Sequence, residues 1–80
     1  MKELLSSNSY SLVDSDKVIA VVSFEISGDE LIILHTFVDD AYRGQGLAKK
    51  LMEKCDEIAK KNKLRIRPVC SYAVKYFSHS

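Results

Sequence analysis

Tyr42-Arg43-Gly44-Gln45-Gly46-Leu47-Ala48-Lys49-Lys50 is the stretch on which the fold turns. It separates an apolar, strand-like half of the chain from the only long amphipathic helical pattern. Its two leading glycines open backbone conformations closed to other residues and let a ligand come close. Just behind them lie the first N–H groups of a new helix, which have no intrahelical partner and form the positive end of its dipole. A strand, a glycine-bearing loop with an arginine, then a helix makes a seat for a phosphate or pyrophosphate. The plainer alternatives are a loop that only needs positive φ and, for Arg43, a solvated surface side chain.

Downstream, Leu47, Ala48, Leu51, Met52, Cys55, Ile58 and Ala59 fall on one stripe of period 3.6, with lysines and glutamates opposite. Lys60, Lys61 and Lys63 suit the negative end of the dipole, and Asn62 is the expected stop. Leu64-Arg65-Ile66-Arg67, closed by Pro68, reads as a short strand, parallel to the one before the helix through a right-handed crossover. A short helical segment then runs to Phe77 with Ser71 as N-cap, Tyr76 and Phe77 close the core, and Ser78-His79-Ser80 is a loose tail.

Upstream, residues 1–7 read as a frayed lead-in, and Asn8 to Val13 alternates like a half-buried strand. After the turn Asp14-Ser15-Asp16-Lys17 comes a long strand, with Val18, Ala20, Val22, Phe24 and Ile26 on one face. Ser27-Gly28-Asp29-Glu30 closes a hairpin into Leu31 to Val38, apolar enough to be a central strand covered on both sides. The expected fold is α+β, in the order β-β-β-α-β-α: an antiparallel meander joined by a helix crossover to a parallel strand.

The 80 residues are enough for one domain, residues 1–80, of marginal stability. At 46% hydrophobic and 29% charged the composition is that of a soluble globule, and a net charge of +1 without a basic stripe argues against nucleic acid. The N-terminus lacks the apolar core of a signal peptide and no apolar run is long enough to span a bilayer, so no membrane is expected and the cytoplasm is the simplest compartment. Cys55 and Cys70 form no Cys-x-x-Cys pair and there are 2 histidines, which argues against a disulfide framework or a metal site.

Two phosphate loops are excluded. No Gly-x-x-x-x-Gly-Lys-Ser/Thr is present, which removes the P-loop. A dinucleotide fingerprint needs a third glycine where Lys49 stands, and an acidic residue on the next strand, which here is basic. The stretch instead resembles motif A of the GCN5-related N-acetyltransferases, Gln/Arg-x-x-Gly-x-Gly/Ala. Arg43, Gly46 and Ala48 fill that pattern, and Gly44 gives its Arg-Gly-x-Gly form. The chain is most similar to the small, single-domain YjdJ-type branch, which carries a His-Thr pair before motif A and Pro-x-Cys-Ser-Tyr after the next strand. Those are His35-Thr36 and Pro68-Val69-Cys70-Ser71-Tyr72, and the resemblance covers roughly residues 8–77. Compared with larger members, this chain has no helices between its first strands and ends before the last strand pair.

The resemblance implies acetyl-CoA (coenzyme A) as cosubstrate and acetyl transfer to an amine that the sequence does not name. It assigns the pyrophosphate to the main chain of Arg43, Gly44, Gln45, Gly46, Leu47 and Ala48. The pantetheine arm goes to the strand end at Phe37 and Val38, whose N–H groups would polarise the thioester carbonyl. Cys70, just ahead of a short helix, is a candidate nucleophile that takes the acetyl group covalently, or else a buried small hydrophobe. Tyr72 is a candidate acid for the departing thiolate, or a half-buried aromatic with a wet hydroxyl. His35, taken to share a face with Ile33 and Phe37, is a core residue or, by the resemblance, a general base or partner for Cys70. A CoA-binding or sensing module without catalysis is the alternative function, and a homodimer is compatible with either.

Overall fold

The computed structural model describes residues 1–78; the expected looseness of residues 79 and 80 lies outside them. The strands are β1 (Lys2–Leu5), β2 (Ser9–Asp14), β3 (Lys17–Ser27), β4 (Glu30–Val38) and β5 (Arg65–Pro68). They form one sheet in sequence order, β1 to β4 antiparallel and β5 parallel to β4. Helix α1 (Leu47–Lys61) makes the crossover and α2 (Ser71–Phe77) follows β5. The α+β meander with a helix crossover is as expected.

β1 corrects the frayed lead-in. Its four residues are all exposed, so no buried alternation marks them. Hydrogen bonding to the outer edge of β2 holds them instead, from Lys2↔Val13 to Leu5↔Tyr10. The Tyr10 hydroxyl donates to Glu3, and the Ser6 N–H donates to the Ser9 carbonyl across the turn, at 2.8 Å.

Two tight turns build the rest of the meander. Ser15 and Asp16, both at positive φ (51° and 64°), join β2 to β3, and Gly28 (φ 59°) helps join β3 to β4. Paired positive φ values match the twist of a two-residue hairpin.

Two irregularities redirect side chains. Leu12 pairs Ala20 while Val13 pairs Val18, so Ile19 is an extra residue on β3. Hence Ile19 is fully buried while Val18 is exposed, correcting the single face drawn through Val18. Ser23 pairs His35 while Phe24 pairs Ile33, so Leu34 is an extra residue on β4. A bulge swaps the faces of the residues beyond it. After it, Leu34, His35 and Phe37 are exposed, so β4 is not covered on both sides.

The stripe of α1 buries Leu47, Leu51, Met52, Cys55 and Ala59 against Tyr10, Leu12, Val22, Phe24, Leu31 and Ile33. Ala73 of α2 joins this cluster, with Tyr76 and Phe77 packed against it. Asn62 stops α1, its side-chain amide donating to the Ile58 carbonyl at 2.8 Å, and Lys63 turns left-handed at φ 56°. At the end of α2, Ser78 is tied rather than loose, its N–H donating to the Val74 carbonyl and its hydroxyl to that of Lys75.

Burial pushes the Cys55 thiol up to about 12. Below the ordinary thiol range the folded and unfolded chains both hold that proton. Above it only the unfolded chain releases it, so stability should fall as pH rises toward about 12. Tyr10, raised by burial and by its bond to Glu3, adds to the same trend above the ordinary phenol range. Melting midpoints from about pH 8 to pH 11 should decline steadily. A flat profile would mean that neither group is sequestered in the core.

Candidate functional site

The loop between β4 and α1 is pinned from three sides. Asp39 caps a single 3₁₀ turn, Asp40–Tyr42, its carboxylate accepting from the Ala41 N–H at 2.9 Å. Lys17 pairs with the same carboxylate at 2.9 Å and holds it below the usual carboxylate range. The Tyr42 hydroxyl donates to Asp14 at 2.8 Å, which ties the loop to the β2–β3 turn and raises the phenol's pKa.

Gly44 and Gly46 then adopt φ 82° and 76°, and Gly46 caps α1 with no side chain to satisfy the first turn. The Lys50 N–H bonds the Gly46 carbonyl at 3.1 Å, so the N–H groups of Leu47, Ala48 and Lys49 precede the first intrahelical bond. A Cβ built on Gly44 or Gly46 would meet no atom of the described residues within 4 Å beyond its adjoining residues. The glycines are therefore not demanded by internal packing; they keep open the space in front of the helix. Arg43, in an exposed pair with Asp40 at 3.0 Å, and Lys49 bring positive charge to this end.

That space continues to a gap in the sheet. Parallel pairing of β4 with β5 ends at Ile33↔Pro68, where the Val69 and Cys70 N–H groups both donate to the Ile33 carbonyl, at 2.9 and 3.1 Å. β4 runs on to Val38 while the chain beyond β5 turns into α2, so among the described residues that part of β4 has no partner strand on this side. A cavity of about 300 Å³ joins gap and loop, lined by Thr36, Val38 and Tyr72 at one end and by Arg43, Gly44, Gly46, Leu47, Ala48 and Lys49 at the other, with Tyr42.

At the gap, Thr36 Oγ1 lies 3.2 Å from Cys70 Sγ. The Ala73 N–H donates to the same sulfur at 3.4 Å, so Cys70 rather than Ser71 is the N-cap of α2. Tyr72 stacks on Tyr76, rings 6.3 Å apart, and burial raises its pKa, which keeps its hydroxyl proton available at neutral pH.

Of the residues singled out in the sequence, Val38, Arg43, Gly44, Gly46, Leu47, Ala48 and Tyr72 line the cavity. Gln45 is exposed in the loop outside the lining. Cys70 is half-buried, one hydrogen bond behind Thr36. The side chains of His35 and Phe37 do not line the cavity. The Leu34 bulge turns both to the opposite face, so His35 does not share a face with Ile33, and neither His35 nor Phe37 is buried. The same bulge turns Thr36 inward, a residue that strand alternation alone did not single out. Tyr42 and Lys49 were also missed; a tyrosine beside the glycines was the signal for a loop anchor.

A family model described as GCN5-related N-acetyl-transferase matches residues 9–80. The human protein NATD1 is 38% identical over 58 residues, 71% of this chain and 51% of its own length, and the chicken protein matches equally over 53% of its length. The chain thus spans about half the length of these curated relatives. Among solved structures, a GCN5-like candidate N-acetyltransferase from Staphylococcus aureus superposes with TM-score 0.80 at 29% identity, covering 98% of this chain and 78% of that one. The Escherichia coli ribosomal-protein-S18-alanine N-acetyltransferase superposes with TM-score 0.74 at 20% identity, over 96% of this chain and 50% of that one, and shares the fold. A candidate streptothricin acetyltransferase from Bacillus anthracis, solved with acetyl coenzyme A, gives 0.71 at 20% identity, over 92% and 46%. The chain belongs to the GCN5-related N-acetyltransferase family.

Proposed function

We propose that this chain binds acetyl-CoA in the loop-to-gap cavity and transfers the acetyl group to an amine. One observation carries the reading: a single cavity joins the N–H groups at the start of α1 to the unpaired end of β4. Coenzyme A has a pyrophosphate at one end of a thin, amide-bearing arm and a thioester at the other, and the cavity has matching ends. The pyrophosphate sits against the Gly44–Lys49 N–H groups, with Arg43 and Lys49 adding charge. The arm takes the place of a missing strand along Thr36–Val38. The thioester then reaches Thr36, Tyr72 and Cys70. A solved acetyltransferase of the same fold, holding acetyl coenzyme A, lends support to the choice of ligand.

Chemically, the Cys70 thiolate attacks the thioester carbonyl carbon, forming a new S–C bond. The old C–S bond breaks, and the departing CoA thiolate takes the Tyr72 hydroxyl proton, which solvent replaces. A neutral amine then attacks the S-acetyl carbon, the C–Sγ bond breaks, and the amine loses its proton to water.

Incubation with acetyl-CoA, read by thermal shift and intact mass, tests both levels. CoA should raise the melting midpoint, by RT ln(1 + [L]/Kd) at the free-energy level, about 2.7 kcal/mol at a hundredfold excess over Kd. The protein should gain one acetyl group that Cys70→Ser does not gain. A midpoint shift with no adduct, and full turnover of an amine by Cys70→Ser, would remove the covalent route and leave direct attack by the amine. A shift with no turnover across an amine panel would leave a binding module. No shift would overturn the reading.

A further inference from the structure

We infer that Thr36 is a positioning residue for the Cys70 sulfur, the hydroxyl half of a two-donor cradle completed by the Ala73 N–H. The inference rests on the reading of Cys70 as the acetyl carrier and adds what holds that sulfur ready. Both contacts converge on one atom: Thr36 Oγ1 at 3.2 Å and Ala73 N at 3.4 Å. They come from elements far apart in the chain, β4 and α2, so the sulfur is fixed from two directions.

The geometry is produced by an irregularity. Without the extra residue Leu34, position 36 would point away from Ile33's face, and position 35 would carry its side chain toward α2. With it, Ser23 pairs His35, Val22 pairs Thr36, and Thr36 joins the helix-covered face beside buried Val22. A threonine in that place offers one hydroxyl hydrogen. The thiol form of Cys70 can donate to Thr36, but the thiolate only accepts, and then both neighbours act as donors to it. Held by two groups from different elements, the sulfur keeps one orientation toward the cavity, and the thiolate is the nucleophile. Thr36 also lines the cavity, so the sulfur it holds is one side chain away from the thioester's place.

The test needs no acetyl-CoA. The rate of iodoacetamide alkylation of Cys70, resolved by peptide mass, is followed at one pH in the wild type, Thr36→Val and Thr36→Ser, with circular dichroism as the check on folding. Cys55 is fully buried and serves as the internal unreactive thiol. Thr36→Val keeps the shape and strand preference but removes the donor. It should slow alkylation by about two- to tenfold, the size expected for one lost ordinary hydrogen bond that holds the sulfur in place. Thr36→Ser keeps the hydroxyl and should return the rate to within about twofold of wild type, since only a methyl contact is lost. Equal rates for wild type and Thr36→Val would overturn the inference. So would a Thr36→Ser rate that matches Thr36→Val, because the methyl group would then be the part that matters. The acetyl-adduct experiment judges the carrier role of Cys70 separately, so failure of the cradle and failure of the carrier are distinguishable.

Discussion

Gly46→Val is expected to abolish coenzyme A binding. Gly46 sits at φ 76° as the N-cap of α1, a conformation that costs an ordinary L-residue about 1–2 kcal/mol and a β-branched one more. A Cβ there meets nothing within 4 Å beyond the adjoining residues, and Gly46 lines the cavity, so the side chain would occupy the space assigned to the pyrophosphate. Two effects therefore combine, a distorted helix start and a blocked seat. Hydrogen bonds to a charged group are worth about 1.5–3 kcal/mol each, so loss of two weakens binding by roughly a hundredfold or more. Gly46→Asn separates the effects, because asparagine tolerates the left-handed region. It should melt near the wild type and still lose most of the affinity by calorimetry. Unchanged affinity in that well-folded variant would mean that the pyrophosphate lies elsewhere.

Leu51→Ala should have the largest effect on stability. Leu51 is fully buried at the centre of the α1 stripe. Truncating a buried leucine removes transfer energy and leaves a cavity, together about 2–5 kcal/mol. A domain of this size has a total on the order of 5 kcal/mol, so the variant sits near or past its unfolding point at 37 °C. The melting midpoint should fall by roughly 8–40 °C at the usual 4–8 °C per kcal/mol for small domains. CoA at a hundredfold excess over Kd should restore about 2.7 kcal/mol. A wild-type midpoint in Leu51→Ala would contradict the packing of α1 on the sheet.

The helix and the glycine loop ahead of it were legible because their signals are local. A 3.6-residue stripe, two glycines and a stop at Asn62 lie within one short stretch, and each names its own physical requirement. The hairpins were equally plain, since Gly28-Asp29 and Ser15-Asp16 sit between alternating runs. β1 was invisible because its residues bury nothing; pairing with the β2 edge holds it, and pairing leaves no periodic mark. The errors at Val18, His35 and Phe37 have one cause. Strict alternation assigns faces by parity, and an extra residue such as Ile19 or Leu34 reverses parity from that point onward. His35 was singled out for the chemistry, and the bulge gave its place to Thr36. Likewise Ser71 looked like the N-cap by preference, but the Cys70 sulfur reaches the Ala73 N–H first.

The central claim is that one cavity holds coenzyme A, with its pyrophosphate at the start of α1 and its arm along the free end of β4. Backbone amide shifts followed while CoA is titrated into the labelled protein test it most directly. The largest changes should fall on the amides of Gly44 to Lys49 and Thr36 to Val38, with Cys70 and Tyr72 following. Titration with pantetheine, which lacks the pyrophosphate, should move the second group and leave the first in place. Changes confined to other parts of the sheet, or an unperturbed Gly44–Lys49 loop at saturation, would contradict the account.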